Sequence, residues 1–368
     1  MICNNCIMDT SDPLITFNHQ GICNHCINFK NVTSKSWFPN EEGKKKINTI
    51  FNKIKKDNAD KKYDCILGLS GGIDSSYLAL KLFDAGLRPL VVHVDAGWNN
   101  ELAVNNIEKI VQYCKWDLYT VVIDWEEMKD LQVAYLKSGV ANQDVPQDHI
   151  FASTLFNFAS KQNIRYIMNG GNISTECIFP SSWLWDNKDS VNLKSIHKKY
   201  GKLKLRKYKT ISLFEKYFYF PIIKKIKSLR PLNFMMYNKN IAIEELKSRL
   251  DFKTYSRKHG ESIFTKFYQN YWLPKKYGRD KRRPHFSSLI VTGQMSRNEA
   301  LEKLNEKLYD ENELNQDLDF VAKKLNFTTE EFKQIIQNQN QLHSSFQNDK
   351  YIKKILKNFY NIFKSIVK

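Results

Sequence analysis

The sequence predicts an α/β fold with a parallel sheet, preceded by a small cysteine-rich module and followed by a helix-rich region. Between residues 61 and 180, short apolar runs alternate with helix-like segments, an order that is typical of parallel sheets. Two Cys-x-x-Cys pairs precede this region, and apolar residues recur at helical spacing near the C-terminus. The predicted parts are a cysteine-rich module (1–30), a helical connector (31–60), the sheet domain (61–180), a basic region (181–300) and C-terminal helices (301–368).

The composition is typical of a folded globular protein. Of the 368 residues, 42% are hydrophobic and 26% are charged, with 14 Gly and 9 Pro, which excludes a disordered or collagen-like chain. No apolar run approaches the roughly 18 residues that a membrane span needs, and the first residues lack the order of a secretory signal. We therefore expect a cytoplasmic protein whose cysteines stay reduced and, where clustered, bind a metal.

The cysteine-rich module contains two Cys-x-x-Cys knuckles, formed by Cys3 and Cys6 and by Cys23 and Cys26. Each knuckle directs two thiolates to one point, and together they supply the four sulfur ligands of a tetrahedral zinc site. With a short strand at 14–17 and a turn at 18–21, the pattern predicts a zinc ribbon that the metal holds folded. An iron–sulfur cluster on the same four thiolates is the alternative.

A glycine-rich turn between a strand and a helix is the most informative motif. An apolar strand at 63–69 runs into Ser-Gly-Gly-Ile-Asp-Ser-Ser at 70–76, and a helix follows to residue 84. Glycines permit close backbone approach, and the free N–H groups at the start of a helix attract an anion. Because Asp74 would repel a phosphate, we expect it to act through Mg²⁺. The turn lacks the Gly-Lys-Ser/Thr of a Walker A loop.

The elements around this turn continue the alternation. A connector helix with Ile47, Phe51 and Ile54 on one face precedes it. We predict strands at 90–95, 118–123 and 165–169, and helices at 101–114, 126–137 and 148–162. Ligands bind at the carboxyl ends of parallel strands. Asp95 and the Asn-Gly-Gly-Asn at 169–172 follow two of these strands, so we expect Asp95 to contact a nucleotide there.

The positive charge of the chain is concentrated in one segment. The formal net charge is +18, and residues 188–283 contain 27 basic and 7 acidic residues, with tyrosines and phenylalanines among the lysines. This composition occurs at nucleic-acid surfaces. It also suits an anionic small substrate or an acidic protein partner, and the whole chain is rich in Lys and Asn. We favour the anionic substrate or partner over nucleic acid.

The motifs resemble those of known families. A strand followed by Ser-Gly-Gly-x-Asp-Ser resembles the PP-loop of the ATP pyrophosphatases, whose domain has the adenine nucleotide alpha-hydrolase-like fold. Nearly the whole chain resembles the N-acetyl sugar amidotransferases of bacterial surface-polysaccharide (lipopolysaccharide) and pseudaminic- or legionaminic-acid biosynthesis. The shared blocks are Cys-x-x-Cys-x-Met-Asp-Thr-Ser-Asp-Pro at 3–13, Ser-Gly-Gly-Ile-Asp-Ser at 70–75, Val-Asp-Ala-Gly-Trp-Asn-Asn at 94–100, Asn-Gln-Asp-Val-Pro-Gln-Asp-His at 142–149, Asn-Gly-Gly-Asn-Ile-Ser-Thr-Glu at 169–176, Lys-His-Gly-Glu-Ser at 258–262, Asp-Lys-Arg-Arg-Pro-His at 280–285 and Gly-Gln-Met-Ser-Arg at 293–297.

The resemblance implies an ATP-dependent amidotransferase. ATP would adenylylate the carbonyl oxygen of a sugar acetamido group and release pyrophosphate, and ammonia would then displace AMP to leave an acetamidino group. The family takes its ammonia from a separate glutaminase subunit. This agrees with the cysteines outside the knuckles, Cys65, Cys114 and Cys177, whose positions suggest structural roles rather than that of a glutaminase nucleophile.

The predicted site residues form three groups. We expect ATP to contact Ser70, Gly71, Gly72, Asp74, Ser75, Ser76, Asp95 and Gly170. We expect catalysis to involve Asp74, Asp148, His149 and Glu176, and substrate binding to involve Asn172, Arg282, Arg283 and His285. Simpler roles remain open at several positions: a helix N-terminal acid for Asp148, a packed histidine for His149, and a solvated charge run for the basic turn at 282–285.

A PP-loop enzyme that modifies tRNA, for example by thiolation, is the competing interpretation. It would explain the ATP loop, the zinc module and the basic segment together. Such enzymes generally carry Gly-His-x-x-Asp-Asp where this chain has Gly-Asn-Ile-Ser-Thr-Glu at 171–176, and they often use reactive cysteine pairs in the catalytic domain. Both features are absent from the sequence, so we favour the sugar amidotransferase.

Overall fold

A computed structural model of the chain describes residues 1–255 and 258–356. Its centre is a sheet of five strands, β1 (Cys65–Gly68), β2 (Pro89–Asp95), β3 (Leu118–Val122), β4 (Tyr166–Met168) and β5 (Lys227–Leu229). The order is β3-β2-β1-β4-β5, and all neighbouring strands are parallel. The chain winds outward from β1 in both directions, so the topological switch point lies between β1 and β4. Ligands of open parallel sheets bind at such a point.

The predicted parallel α/β architecture is confirmed, and all four strands predicted for the sheet are present within a residue or two of their expected bounds. β5 was missed. It is a three-residue edge strand with the sequence Lys-Ser-Leu. It pairs with β4, where Lys227 lies opposite Tyr166, and it is largely exposed. Such a short, polar strand has no apolar run to reveal it. β5 also lies in the segment that we assigned to the basic region, so the sheet extends beyond residues 61–180.

Helices cover both faces of the sheet and form the C-terminal region. They are α1 (Asn24–Asn31), α2 (Glu41–Asp57), α3 (Ile73–Asp84), α4 (Glu101–Cys114), α5 (Trp125–Ser138), α6 (Val145–Lys161), α7 (Ile173–Glu176), α8 (Ser190–Tyr200), α9 (Lys239–Leu250), α10 (Ile263–Phe267), α11 (Leu273–Tyr277), α12 (Arg282–Val291), α13 (Arg297–Leu304), α14 (Glu311–Lys324) and α15 (Thr329–Gln337). π-Helical segments occupy Glu215–Ile223 and Tyr268–Trp272. Polar side chains cap most of these helices, and Asn100, for example, accepts a hydrogen bond from Leu102 N at the start of α4.

Two apolar clusters enclose the sheet. One contains Leu67 and Val91 of the strands with residues of α2, α3 and α9, and it includes Ile47, Phe51 and Ile54, the predicted apolar face of the connector. The other contains Ile66 and Val92, whose side chains alternate with those of the first cluster, with residues of α6 and the first π-helical segment. The connector is therefore an integral part of the sheet domain.

The N-terminal module is held by isolated bridges rather than by strands. Ile2 pairs with Asp9 and Phe17 with Cys23, so the strand that we predicted at 14–17 contributes only its last residue. The four cysteines and Met8 form a small buried cluster with Ile178. The module therefore packs on the rest of the protein.

Within the described residues, the C-terminal region contains the helices α13, α14 and α15, with loops between and after them. α14 and α15 pack on α10 and α11 around a cluster that contains Trp272 and Phe332. The end of the predicted C-terminal part, from residue 357, lies outside the described residues. Among the described residues, every helix is too short or too polar to cross a bilayer.

Candidate functional site

Glycines shape the turn between β1 and α3. Gly71 has a φ of +77°, and a Cβ at this position would lie 2.5 Å from the carbonyl oxygen of Ala103 in α4. A Cβ at Gly72 would lie 3.0 Å from Oε1 of Glu261. The backbone conformation and the close approach of α4 therefore both require glycine at residue 71.

The start of α3 presents donors without acceptors. Its N-cap is Gly72, which has no side chain to cap the helix, and the N–H groups of Ile73, Asp74 and Ser75 have no acceptor among the described residues. The hydroxyls of Ser70 and Ser75 lie 3.0 Å apart and hold the turn together. The adjoining Oγ of Ser76 is buried and has no hydrogen-bond partner within residues 1–255 and 258–356. An uncapped helix start of this kind favours an anion.

The loop after β4 meets this helix start. A Cβ at Gly170 would lie 2.9 Å from Ser75 N, so the two backbones are in contact. Asn172 is the N-cap of α7, where its Oδ1 accepts a hydrogen bond from Thr175 N at 2.9 Å. Asp95 ends β2, and its Oδ1 accepts a hydrogen bond from Gly97 N at 2.8 Å. The structure thus brings Gly170 to the turn, whereas Asn172 and Asp95 make local contacts.

Asp74 lies in the first turn of α3 and is held by a tyrosine. The hydroxyl of Tyr237, just before α9, donates a hydrogen bond to Oδ1 of Asp74. Burial raises the pKa of Asp74, and the nearby Glu176 raises it further, while the cation of Lys258 acts in the opposite direction. Asp74 therefore faces a cluster of charged groups that ligands of the turn would enter.

The segment 258–262 contributes residues that our site prediction missed. Nζ of Lys258 lies 3.0 Å from Oε1 of Glu176 and 3.2 Å from Nδ1 of His285. His259 lies 3.5 Å from Glu261, the residue next to Gly72. Burial alone would raise the pKa of Glu176, but Lys258 and His259 outweigh it and hold the pKa below its usual value. The sequence signal for Lys258, His259 and Glu261 is the Lys-His-Gly-Glu-Ser block at 258–262.

A second group of charges surrounds Asp148. Burial raises the pKa of Asp148 to about 7, and the neighbouring carboxylate of Asp144 adds to this effect. Asp144 accepts hydrogen bonds from Thr265 Oγ1 at 3.0 Å and Gln269 Nε2 at 3.2 Å. Burial also lowers the pKa of Lys281, to about 8. Asp148 lies in the fourth position of α6, which begins at Val145, so it is not the opening residue that we expected.

His149 points away from this group. Its Nδ1 lies 2.7 Å from the carbonyl oxygen of Asn187, and its Nε2 accepts a hydrogen bond from Ile211 N at 3.0 Å. It is fully buried, and burial lowers its pKa to about 4. Both ring nitrogens of this neutral imidazole are engaged by the backbone. The geometry therefore favours the packed histidine over a residue that transfers protons.

The arginines of the basic turn also have partners within the protein. Arg282 pairs with Asp280 at 2.7 Å, and its guanidinium donates to the carbonyl oxygens of Lys303, Leu304 and Glu306 at the end of α13. Arg283 binds the N-terminal module: Nη1 donates to Ile7 O at 2.9 Å, and Nε lies 3.1 Å from Asp9. These contacts favour structural roles for both arginines. His285, in contrast, lies beside Lys258 in the cluster.

The four cysteines form a candidate metal centre. Their sulfur atoms all lie within 4.8 Å of one another, and the pairs Cys3–Cys26 and Cys6–Cys23 are 4.0 and 3.7 Å apart. Sulfurs bound to one zinc ion at about 2.3 Å would be about 3.8 Å apart. The amides of Cys23 and Met8 donate to Cys3 Sγ at 3.2 Å and Cys6 Sγ at 3.4 Å, which stabilises thiolates. The donor set and its spacing therefore fit Zn²⁺.

The fold and site together define a parallel α/β protein with an uncapped helix start at the switch point, a charged cluster beside it and four cysteines placed to bind a metal ion. Comparison with known families adds one match: residues 261–360 match the family described as "LPS biosynthesis protein WbpG-like, C-terminal domain". No curated protein matches the chain. The match covers α10 to α15 and includes Lys281 and His285, and it supports the predicted association with lipopolysaccharide biosynthesis.

Proposed function

We propose that the protein is the synthetase subunit of an ATP-dependent amidotransferase that converts a sugar acetamido group to an acetamidino group in lipopolysaccharide or related surface-glycan biosynthesis. The observation that carries the proposal is the Ser-Gly-Gly-Ile-Asp-Ser turn at the uncapped start of α3, at the switch point of a parallel sheet. The WbpG-like match supports the biosynthetic context. The PP-loop resemblance supports the cleavage of ATP to AMP and pyrophosphate.

ATP would lie with its phosphates at the start of α3. The free N–H groups of Ile73, Asp74 and Ser75 and the hydroxyls of Ser70 and Ser76 are donors for phosphate oxygens. A single carboxylate together with substrate phosphates is a common way to bind Mg²⁺. Asp74 fits this role because, among the described residues, only Tyr237 forms a hydrogen bond with it. Mg²⁺ bound there would neutralise charge on the phosphates.

The proposed chemistry requires activation of an unreactive amide. The acetamido oxygen attacks the α-phosphorus of ATP, the α–β bridging oxygen leaves with pyrophosphate, and the oxygen becomes a leaving group as AMP. Ammonia then adds to the carbon, loses a proton, and AMP departs. Asp148 is suited to accept that proton because its pKa of about 7 lies near the working pH. Lys258 is placed to counter negative charge beside Glu176.

Ammonia would come from a separate glutaminase subunit. A glutaminase nucleophile needs an activated thiolate, but burial raises the pKa of Cys114 to about 12 and that of Cys177 to about 11. Cys65 is fully buried in β1, and burial raises its pKa as well. The other four cysteines form the metal centre. All seven cysteines of the sequence are thereby accounted for, which supports an external source of ammonia.

Pyrophosphate release from ATP tests the proposal. The purified chain would be incubated with ATP, Mg²⁺ and ammonium chloride, and with acetamido sugars, their CMP and UDP conjugates, or bulk tRNA. We expect release that depends on a sugar, with a product about 1 Da lighter by mass spectrometry because NH replaces oxygen. Release that depends on tRNA would instead identify a tRNA-modifying enzyme and reject the sugar reaction.

A further inference from the structure

Lys281, the N-cap of α12, and His285, in its first turn, carry side-chain N–H groups that have no acceptor in the described part of the chain. They are four positions apart, about one helical turn, and each residue is only 8% exposed. Nε2 of His285 is buried and has no partner among the described residues. Nζ of Lys281 lies 4.0 Å from the centre of the Phe179 ring and makes no hydrogen bond or ion pair among the described residues. The ring of Phe179 also contacts His285.

The contacts of His285 identify its free nitrogen as a donor. Nδ1 lies 3.2 Å from the Lys258 ammonium, which has protons to donate and no lone pair to accept one. The imidazole proton therefore resides on Nε2. Burial and the surrounding cations, Lys258 foremost, keep the pKa of His285 far below its usual value, so the ring is neutral. The neutral ring of His285 and the ammonium of Lys281 both contact the Phe179 ring, and neither the Nε2–H nor the ammonium has an acceptor among the described residues.

Two adjacent buried donors without acceptors are unfavourable in a folded protein. An unpaired buried N–H loses its hydrogen bonds to water without replacement, and an unpaired buried ammonium is more unfavourable still. Asp144 and Asp148 interact with Lys281 through space, but neither carboxylate lies within 4.0 Å of its Nζ. The cation–π contact with the face of the Phe179 ring stabilises the Lys281 ammonium only in part. A ligand that supplies oxygen acceptors would satisfy both donors.

We propose that Lys281 and His285 form a subsite for an oxyanion, a phosphate or carboxylate group of a ligand bound beside the turn at 70–76. Lys258 links this subsite to Glu176 and, electrostatically, to Asp74 at the start of α3. The identity of the ligand rests on the proposed function. The oxyanion belongs either to the pyrophosphate end of ATP or to an anionic group on the sugar.

Equilibrium binding to the full-length protein tests the subsite. Lys281→Met removes the charge and keeps the length of the side chain, while His285→Phe removes the donor and keeps an aromatic ring. Lys307→Met is the matched control, because the Lys307 side chain is 79% exposed and forms an ion pair with the similarly exposed Glu311. Calorimetry would use Mg²⁺-pyrophosphate, N-acetylglucosamine 1-phosphate, N-acetylneuraminic acid and uncharged N-acetylglucosamine.

We expect Lys281→Met and His285→Phe each to weaken the binding of an anionic probe at least tenfold, with Lys307→Met and uncharged N-acetylglucosamine unaffected. Loss confined to pyrophosphate assigns the subsite to ATP, and loss confined to the charged sugars assigns it to the substrate. Equal affinities of Lys281→Met and Lys307→Met for all three anions would overturn the proposal. A wild-type protein that binds anions through Lys281 but releases no pyrophosphate from ATP would reject the proposed function and keep the subsite.

The melting temperature without ligand separates this role from a structural one. A ligand-binding Lys281 is an unmatched charge in the free protein, so Lys281→Met should melt at the same or a higher temperature than the wild type. A structural Lys281 predicts a lower melting temperature and would contradict the proposal.

Discussion

Buried charge without full compensation characterises several residues around the turn. Asp64, for comparison, is fully buried, but Arg88 satisfies it with bonds to both carboxylate oxygens, at 2.8 Å to Oδ1 and 3.2 Å to Oδ2. Asp148 and Lys281 have shifted pKa values and no such partner. Groups of this kind cluster at functional sites because ligands complete their environment.

We predict that a substitution at Asp74 lowers activity without lowering the stability of the fold. Asp74→Asn removes the charge that we assign to Mg²⁺ binding, so pyrophosphate release should fall by about 100-fold or more. The melting temperature should stay the same or rise, because the burial that raises the pKa of Asp74 disfavours its charged form. Asp84→Asn is the control, since Asp84 ends the same helix in an exposed pair with Arg249. Normal turnover by Asp74→Asn would show that the turn does not serve as proposed.

At Asp148 we predict a characteristic pH dependence. If Asp148 accepts the proton of ammonia, kcat/KM should fall tenfold per pH unit below its pKa of about 7, and Asp148→Asn should lose this dependence. The ammonia concentration must be held constant, because ammonium itself titrates. An unchanged pH profile in Asp148→Asn would exclude the residue as the base.

The contribution of Asp148 to the free energy of unfolding should fall as pH rises, whereas its proposed activity as a base should increase. The pKa of Asp148 in the folded state, about 7, exceeds the unfolded value of about 3.9. The protonated carboxyl is therefore tolerated fully below about pH 4, and this stability is lost as pH rises through about 7 and the buried group becomes charged. Asp148→Asn, which stays neutral, should therefore gain stability over the wild type at pH 8 and not at pH 4, as measured by urea unfolding.

Among the elements, α12 connects two sites. On one side, Lys281 and His285 face the charged cluster. On the other, Arg283 donates to Ile7 O, and Ser287 Oγ accepts a hydrogen bond from Ile7 N at 3.2 Å. The helix also holds α7, which carries Glu176, because Ser288 Oγ accepts a hydrogen bond from Ile178 N at 2.9 Å. The position of α12 therefore depends on the cysteine module and determines the geometry of the cluster.

The turn from β1 to α3 should be intolerant of any side chain at Gly71. Gly71→Ala would combine a positive φ with a Cβ 2.5 Å from Ala103 O. We expect it to lower the free energy of unfolding by about 2–3 kcal/mol and to abolish ATP binding. Gly86→Ala isolates the effect of φ, since Gly86 has a φ of +68° and nothing within 4 Å of its Cβ position. It should cost about 1 kcal/mol and leave ATP binding unchanged. Equal effects in unfolding and ATP titrations would contradict this reading.

At the scale of the whole molecule, the N-terminal module is part of the body rather than an appendage. The guanidinium of Arg297, at the start of α13, donates to Cys3 O at 3.0 Å and Cys6 O at 3.1 Å. His25 lies 2.7 Å from Asp12, whose other oxygen accepts a hydrogen bond from Ser182. The four-cysteine group is therefore connected to residues far along the chain, and we expect the loss of a metal bound there to alter α12.

We predict one zinc ion per chain. Elemental analysis should find zinc and no iron in a colourless protein, whereas an iron–sulfur cluster would give iron and visible absorption. Cys23→Ser should lose zinc, lower the melting temperature and increase hydrogen exchange in α12. Cys114→Ser is the control, because Cys114 is buried at the end of α4 and outside the cysteine group. Retention of a full zinc ion by Cys23→Ser would contradict the four-thiolate site.

Several features follow from the sequence because they are local. The four longer apolar runs become β1 to β4, since apolar strands followed by amphipathic helices bury most surface in a parallel sheet. The knuckle spacing determines the four-cysteine group, and the glycine pair determines the turn at the start of α3. Ser296 caps α13 by accepting a hydrogen bond from Glu299 N, three residues along the chain. Each of these depends on residues that are close in the chain.

The tertiary structure alone decided which distant charges meet. Lys258, Glu176 and His285 come from three segments, and no local pattern reveals that one ammonium contacts the other two side chains. The partners of His149 and Arg283 were equally hidden in the sequence. Both side chains suggested ligand binding, but His149 binds two backbone groups and Arg283 pairs with Asp9. Side-chain type limits what a residue is able to bind. Long-range packing decides whether that capacity is used within the protein or left for a ligand.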